Sequence, residues 1–153
     1  MDRGDFGGIM ALMALLPIIF AIALLPAIFY LLTLQKALNR CSPESRTMTP
    51  GLVWLSLIPV FNIVWVFFVV NALSESLHRE FTRRGMVEEP QPGRSLGLAY
   101  AILSILGIIP LVGILAAIGA LVCWILYWIK IAEYSRKLEI PWSAPVAVNP
   151  AGV

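Results

Sequence analysis

Three long stretches of this chain contain no Asp, Glu, Lys or Arg: Phe6–Gln35, Thr47–Ser74 and Ser95–Ile129. A helix on the surface of a water-soluble domain needs a polar face, and these windows supply almost none. Only 13% of all residues are charged, against about a quarter in soluble domains. The pattern excludes an ordinary soluble fold. Each window is long enough to cross a hydrocarbon core about 30 Å thick, which takes roughly 20 helical residues.

Residues that carry chemistry are equally scarce. The two cysteines, Cys41 and Cys123, have neither paired nor metal-type spacing and read as small apolar fillers. The single histidine, His78, cannot build a metal site without partners at ligand spacing. It reads as a solvated interface residue, with pH sensing as the lesser alternative. Within the apolar windows the polar side chains include Thr33, Ser56, Asn62 and Ser104, and none forms a nucleophile–base set. The buried ionisable groups of coupled transporters are missing, and no glycine-rich phosphate motif follows a strand. A net charge of +2, without a clustered basic face, gives no support for nucleic-acid binding. No enzymatic activity, metal or cofactor is expected.

What remains is an all-α integral membrane bundle. Its single domain, 1–140, has helices at about 9–34, 51–84 (broken near 59), 96–109 and 113–138. The first helix contains Pro17 and Pro26, each removing an intrahelical hydrogen bond, so kinks are expected. It is read as an uncleaved span, because the apolar run exceeds the 7–15 residues of a signal-peptide core. The window 96–131 is read as a helical hairpin turning at Pro110 and Gly113, with one long kinked helix as the alternative. Gly113 is expected to supply a left-handed turn conformation. Pro59 and Asn62 form a similar unit, Ile58-Pro59-Val60-Phe61-Asn62, matched by Ile109-Pro110-Leu111-Val112-Gly113. Asn62 is the best polar candidate, either capping that turn or lining a pore.

Residues 71–85 carry Leu73, Leu77 and Phe81 at four-residue spacing, an apolar stripe expected of an amphipathic helix. That helix is placed in the membrane interface or under the bundle, with Glu75–Arg79 and Glu80–Arg84 as i,i+4 pairs. Gly85 suits its C-terminal stop. On the last helix, Gly113, Ala116, Ala117 and Ala120 form a small-residue face for helix packing, inside the chain or against another subunit. Trp54, Trp65, Trp124 and Trp128 are read as interfacial anchors. The Pro/Ala-rich tail, 141–153, cannot bury a core of its own.

Basic residues cluster in three connections: Lys36, Arg40 and Arg46; Arg79, Arg83, Arg84 and Arg94; Lys130, Arg136 and Lys137. If all three face the cytoplasm, as the positive-inside tendency favours, then 51–70 and 96–129 must each enter and leave on the same side. In the rival topology 51–70 crosses completely and 79–94 lies outside. The Ile-Pro-x-x-Asn/Gly turn and the Tyr127-Trp128-Ile129-Lys130 run into a polar helix resemble small bacterial multipass membrane proteins of uncharacterised families. That resemblance implies a bacterial inner-membrane location and no particular activity. The functional expectation is an accessory or structural subunit that contacts other membrane subunits, or its own copies, in the lipid bilayer. An oligomeric passive channel or holin-like pore is the alternative.

Overall fold

The computed structural model describes residues 3–109 and 112–139. It is all-helical, with no strand among the described residues. Helix α1 spans Arg3–Arg40, a short 3-10 helix follows at Pro50–Leu57, and α2 runs Pro59–Arg83. Helices α3 (Arg94–Leu106) and α4 (Gly113–Lys137) complete the chain. Three segments are long and apolar enough to cross a membrane: Met13–Arg40, Val60–Arg83 and Gly113–Lys137. Helix α3 is apolar but shorter. Pro110 and the 141–153 tail lie outside the described residues.

Helix α1 is continuous through Pro17 and Pro26 and extends beyond the expected 9–34 at both ends. Its extra last turn, Lys36–Arg40, is made mostly of good helix formers. The helix stops before Pro43, because a proline pushes the residue preceding it out of the α region. The same rule sets the sharpest corner of the chain. Ile58, which precedes Pro59, is extended (φ −81°, ψ 107°) and separates the 3-10 helix from α2, where Pro59 sits in the first turn. Proline there costs nothing, since a first-turn N–H has no intrahelical acceptor.

The corner folds the chain back on itself. Thr47 Oγ1 donates to the Ala72 carbonyl (2.7 Å), and Trp65 Nε1 donates to the Leu52 carbonyl (3.0 Å). Residues 47–57 therefore run antiparallel to α2, starting beside its middle and ending at its first residue. The reversal occurs at Ile58. Asn62 is helical, in the first turn of α2, and its N–H bonds to the Ile58 carbonyl (2.8 Å). Asn62 has no positive φ, so it does not supply a left-handed turn conformation.

Helices α3 and α4 form the second antiparallel pair. Gly113 does not have a positive φ either. Its value is space: a Cβ there would stand 2.7 Å from the Gly107 carbonyl oxygen. Among the described residues the positive-φ positions are Gly85 and Gly93. Gly85 closes α2, with its N–H on Thr82 and that of Met86 on Phe81, the paired bonds of a Schellman cap. At Gly97 a Cβ would meet Val70 Cγ1 at 2.6 Å, so glycine is what lets α3 approach α2.

Residues 71–83 are the second half of α2, continuous with the apolar run before them. Leu73, Leu77 and Phe81 are fully buried, packed in one core with Leu34 and Leu38 of α1 and Tyr127, Ile131 and Tyr134 of α4. The core thus sits toward the charged ends of the helices. Farther toward the start of α1, the contrast is sharp. Met13, Leu16, Ile19, Ile22 and Leu25 are all exposed.

Candidate functional site

Two features combine polar atoms with burial: a cavity within the apolar part of the bundle and an ionic hub at its charged end.

The cavity measures about 140 Å³ and is lined by residues of every helix, among them Tyr30, Ser56, Asn62, Val66, Tyr100 and Trp124. Tyr30 lies ten residues before Arg40 on α1, roughly 15 Å along the axis at 1.5 Å per residue. The Asn62 side-chain carbonyl, Oδ1, is shut off from solvent and has no hydrogen-bond partner. An orphaned acceptor of this kind costs about 1–3 kcal/mol, so the site is primed to take a hydrogen-bond donor. No acid, histidine or cysteine lines this cavity. The arrangement can hold a polar group but offers no general base or nucleophile pair.

The hub is built around Glu80, whose side chain is fully buried. Ser42 donates to Oε2 from its backbone N–H (3.0 Å) and from its hydroxyl (2.8 Å). Arg84 Nε donates to Oε1 at 2.7 Å, and Arg83 Nη2 reaches the same oxygen at 3.2 Å. The other Arg84 nitrogens cap two helix ends, donating to the carbonyls of Leu138 and Arg40, each at 3.2 Å. A cation is favoured there, because unsatisfied C-terminal carbonyls carry the negative end of the helix dipole. Arg40 adds a bond to the Ser135 hydroxyl (2.9 Å) and an ion pair with Glu139 (2.8 Å). Lys130 pairs with Glu89, and Lys137 with Glu88. The Lys130 ammonium beside Glu89 holds its carboxyl below the usual carboxylate range. Through these bonds all three basic connections meet at one end of the bundle.

The remaining expected site residues are distributed as follows. Gly113, Ala116 and Ala120 are buried, while Ala117 is exposed. Ala117 and Ala120 border an open groove with Ser104 and Gly107 of the α3 side. The indole of Trp54 donates to Gln35 Oε1 (2.9 Å), and that of Trp128 to Thr33 Oγ1 (2.9 Å). With Trp65 on Leu52, three of the four expected anchors therefore tie segments of the chain together. Trp124 packs edge-on against Tyr30, ring centroids 5.4 Å apart. Cys41 is buried with its thiol on the Ala37 carbonyl (3.4 Å), and burial pushes its pKa up to about 12. Among the described residues no three His, Cys, Asp or Glu come together as a metal site.

Sequence reasoning missed Glu80 and Arg84 as the centre of the charged end. A signal was present. At 100° per residue, Glu80 and Arg84 fall on the same side of α2 as Leu73 and Leu77, so the pair points into the bundle. Comparison with protein-family models, curated proteins and solved structures finds no match for the chain. What the fold establishes is the class: an all-helical protein with three helices able to cross a membrane.

Proposed function

We propose that this is a multipass protein of the bacterial inner membrane that works without catalysis, as an accessory or structural subunit held to other membrane proteins by helix contacts. The observation that carries the reading is the exposed apolar surface of α1 between Met13 and Phe29. Met13 (64% exposed), Ile22 (62%) and Phe29 (59%) face outward, and only 12% of the most apolar α1 window is buried in this chain. In water such a helix would be untenable. In lipid it is soluble on its own and free to pack against a neighbouring subunit, where association draws on close packing rather than on hydrophobicity. The gathering of the basic connections at one end supports a cytoplasmic orientation for that end. It also supports the course in which 51–70 enters and leaves the membrane on the same side.

Photo-crosslinkers placed at Met13, Ile18 and Ile22 test the reading in intact membranes. One dominant crosslinked partner, co-purifying in a fixed ratio in mild detergent, is expected. A lone monomer with no crosslink from any of the three positions overturns it.

The orphaned Asn62 carbonyl favours a second reading, a passive oligomeric pore lined by Asn62. Liposome flux that falls on Asn62→Leu is its requirement, and no flux from either protein eliminates it.

A further inference from the structure

A second cavity opens between the polar half of α2 and the turn that enters α3. It measures about 470 Å³ and is lined by Asn71, Ser74, Glu75, His78, Gln91 and Arg94, within the roughly 300–1,000 Å³ of small-molecule sites. Its polar groups are unsatisfied in a particular pattern. Arg94 Nε is shut off from solvent without a hydrogen-bond partner. Ser74, only 4% exposed, lines the cavity with it. Helix α3 starts here at Gly93, whose backbone N–H bonds to the Glu89 carboxylate, which leaves Arg94 Nε as the buried donor lacking an acceptor.

The opposite need lies beside them on α2. Asn71 donates its Nδ2 to the Phe67 carbonyl (2.8 Å), leaving Oδ1 buried and unpartnered. Glu75 is bound through Oε1 to Arg79 (2.8 Å), which leaves its second oxygen for another donor. A single ligand answers both needs if it carries a phosphate and, a few bonds away, a primary ammonium.

We propose that this cavity binds a phosphoethanolamine group, with the phosphate on Arg94 and Ser74 and the ammonium on Asn71 and Glu75. His78 and Gln91 complete the rim. The cavity lies where α2 changes from the apolar run ending at Val70 to the polar run beginning at Asn71, the depth at which lipid headgroups sit. The source of the group is therefore a phospholipid. Choline headgroups have the phosphate but no N–H to give Asn71, and phosphoglycerol has no cation for Glu75. This inference rests on the membrane reading above and not on the subunit role.

Delipidated full-length protein in detergent is titrated with short-chain phosphatidylethanolamine, phosphatidylcholine and phosphatidylglycerol, and with glycerophosphoethanolamine and inorganic phosphate, by native mass spectrometry. Phosphatidylethanolamine is expected to bind at least tenfold tighter than the other two lipids. Arg94→Ala is expected to weaken it tenfold or more, and Asn71→Leu to bring it to the level of phosphatidylcholine. Should Arg94→Ala fail to fold, the selectivity lost in Asn71→Leu still decides the matter. Equal binding of all three lipids, or unchanged selectivity in Asn71→Leu, overturns the proposal. Glycerophosphoethanolamine binding as tightly as the lipid overturns the lipid source. A chain folded and monodisperse without any amphiphile would instead overturn the membrane reading.

Discussion

Arg84 Nε lies 2.7 Å from Glu80 Oε1, one helical turn away on α2, and the carboxylate it meets is wholly buried. Glu75 and Arg79 make the same i,i+4 contact at 2.8 Å but with both side chains about half exposed. The two pairs share chemistry and spacing and differ in surroundings. Glu80–Arg84 also holds the ends of α1 and α4 through Ser42, Arg40 and Leu138.

Breaking the buried pair should therefore cost far more than breaking the exposed one. Arg84→Ala leaves an uncompensated buried carboxylate and two uncapped helix ends, a loss of about 3–5 kcal/mol. Arg79→Ala is expected to stay within about 0.2–1 kcal/mol. Thermal unfolding of both variants in mild detergent makes the comparison, and equal losses would show that Glu80 is not the hub.

Close approach of α3 to α2 depends on the absence of a side chain at Gly97, whose added Cβ would lie 2.6 Å from Val70 Cγ1. Gly97→Ala should cost about 1–3 kcal/mol through overpacking. Because the two shortest contacts are both to Val70, with Tyr127 Cε2 next at 3.0 Å, Val70→Ala in the same chain should recover part of that loss. A double-mutant cycle measures the coupling, and strictly additive effects would contradict the contact.

Cys41 should be a slow thiol. It is buried, and burial holds the thiol form to about pH 12, whereas the thiolate is the reactive species. Iodoacetamide at neutral pH is expected to spare Cys41 in the folded protein and to label it after denaturation, as mapped by peptide mass spectrometry. Rapid native labelling would mean that the Cys41–Ser42 corner opens.

The parts of this fold legible in the chain are those that follow from local rules. Charge-free windows located the apolar helices, the four-residue spacing of Leu73, Leu77 and Phe81 located a buried stripe, and Gly85 marked the end of α2. Other parts depend on partners far along the chain. Nothing local links Ser42 to Glu80, or Trp128 to Thr33, so residue spacing shows Glu80–Arg84 as an i,i+4 pair without its place at the centre of the charged end. Gly113 was identified for the wrong reason. Its neighbour Gly107 limits the space, and steric exclusion between segments leaves no trace in residue spacing. At the cavity, the sequence shows Asn62 as a polar residue in an apolar window, but its orphaned oxygen is visible only once the surrounding helices are in place.

The central claim is that the connections after α1, after α2 and after α4 lie on one side of the membrane, with the charged hub between them. Glu44→Cys and Val87→Cys place reporters at exposed positions of the first two connections, and Arg136→Cys at an exposed position in the last turn of α4. They are treated with a membrane-impermeant maleimide on intact spheroplasts and after permeabilisation. The account predicts that all three are shielded in intact spheroplasts and label together once the membrane is opened. Labelling of Val87→Cys from outside, with the other two still shielded, would contradict it.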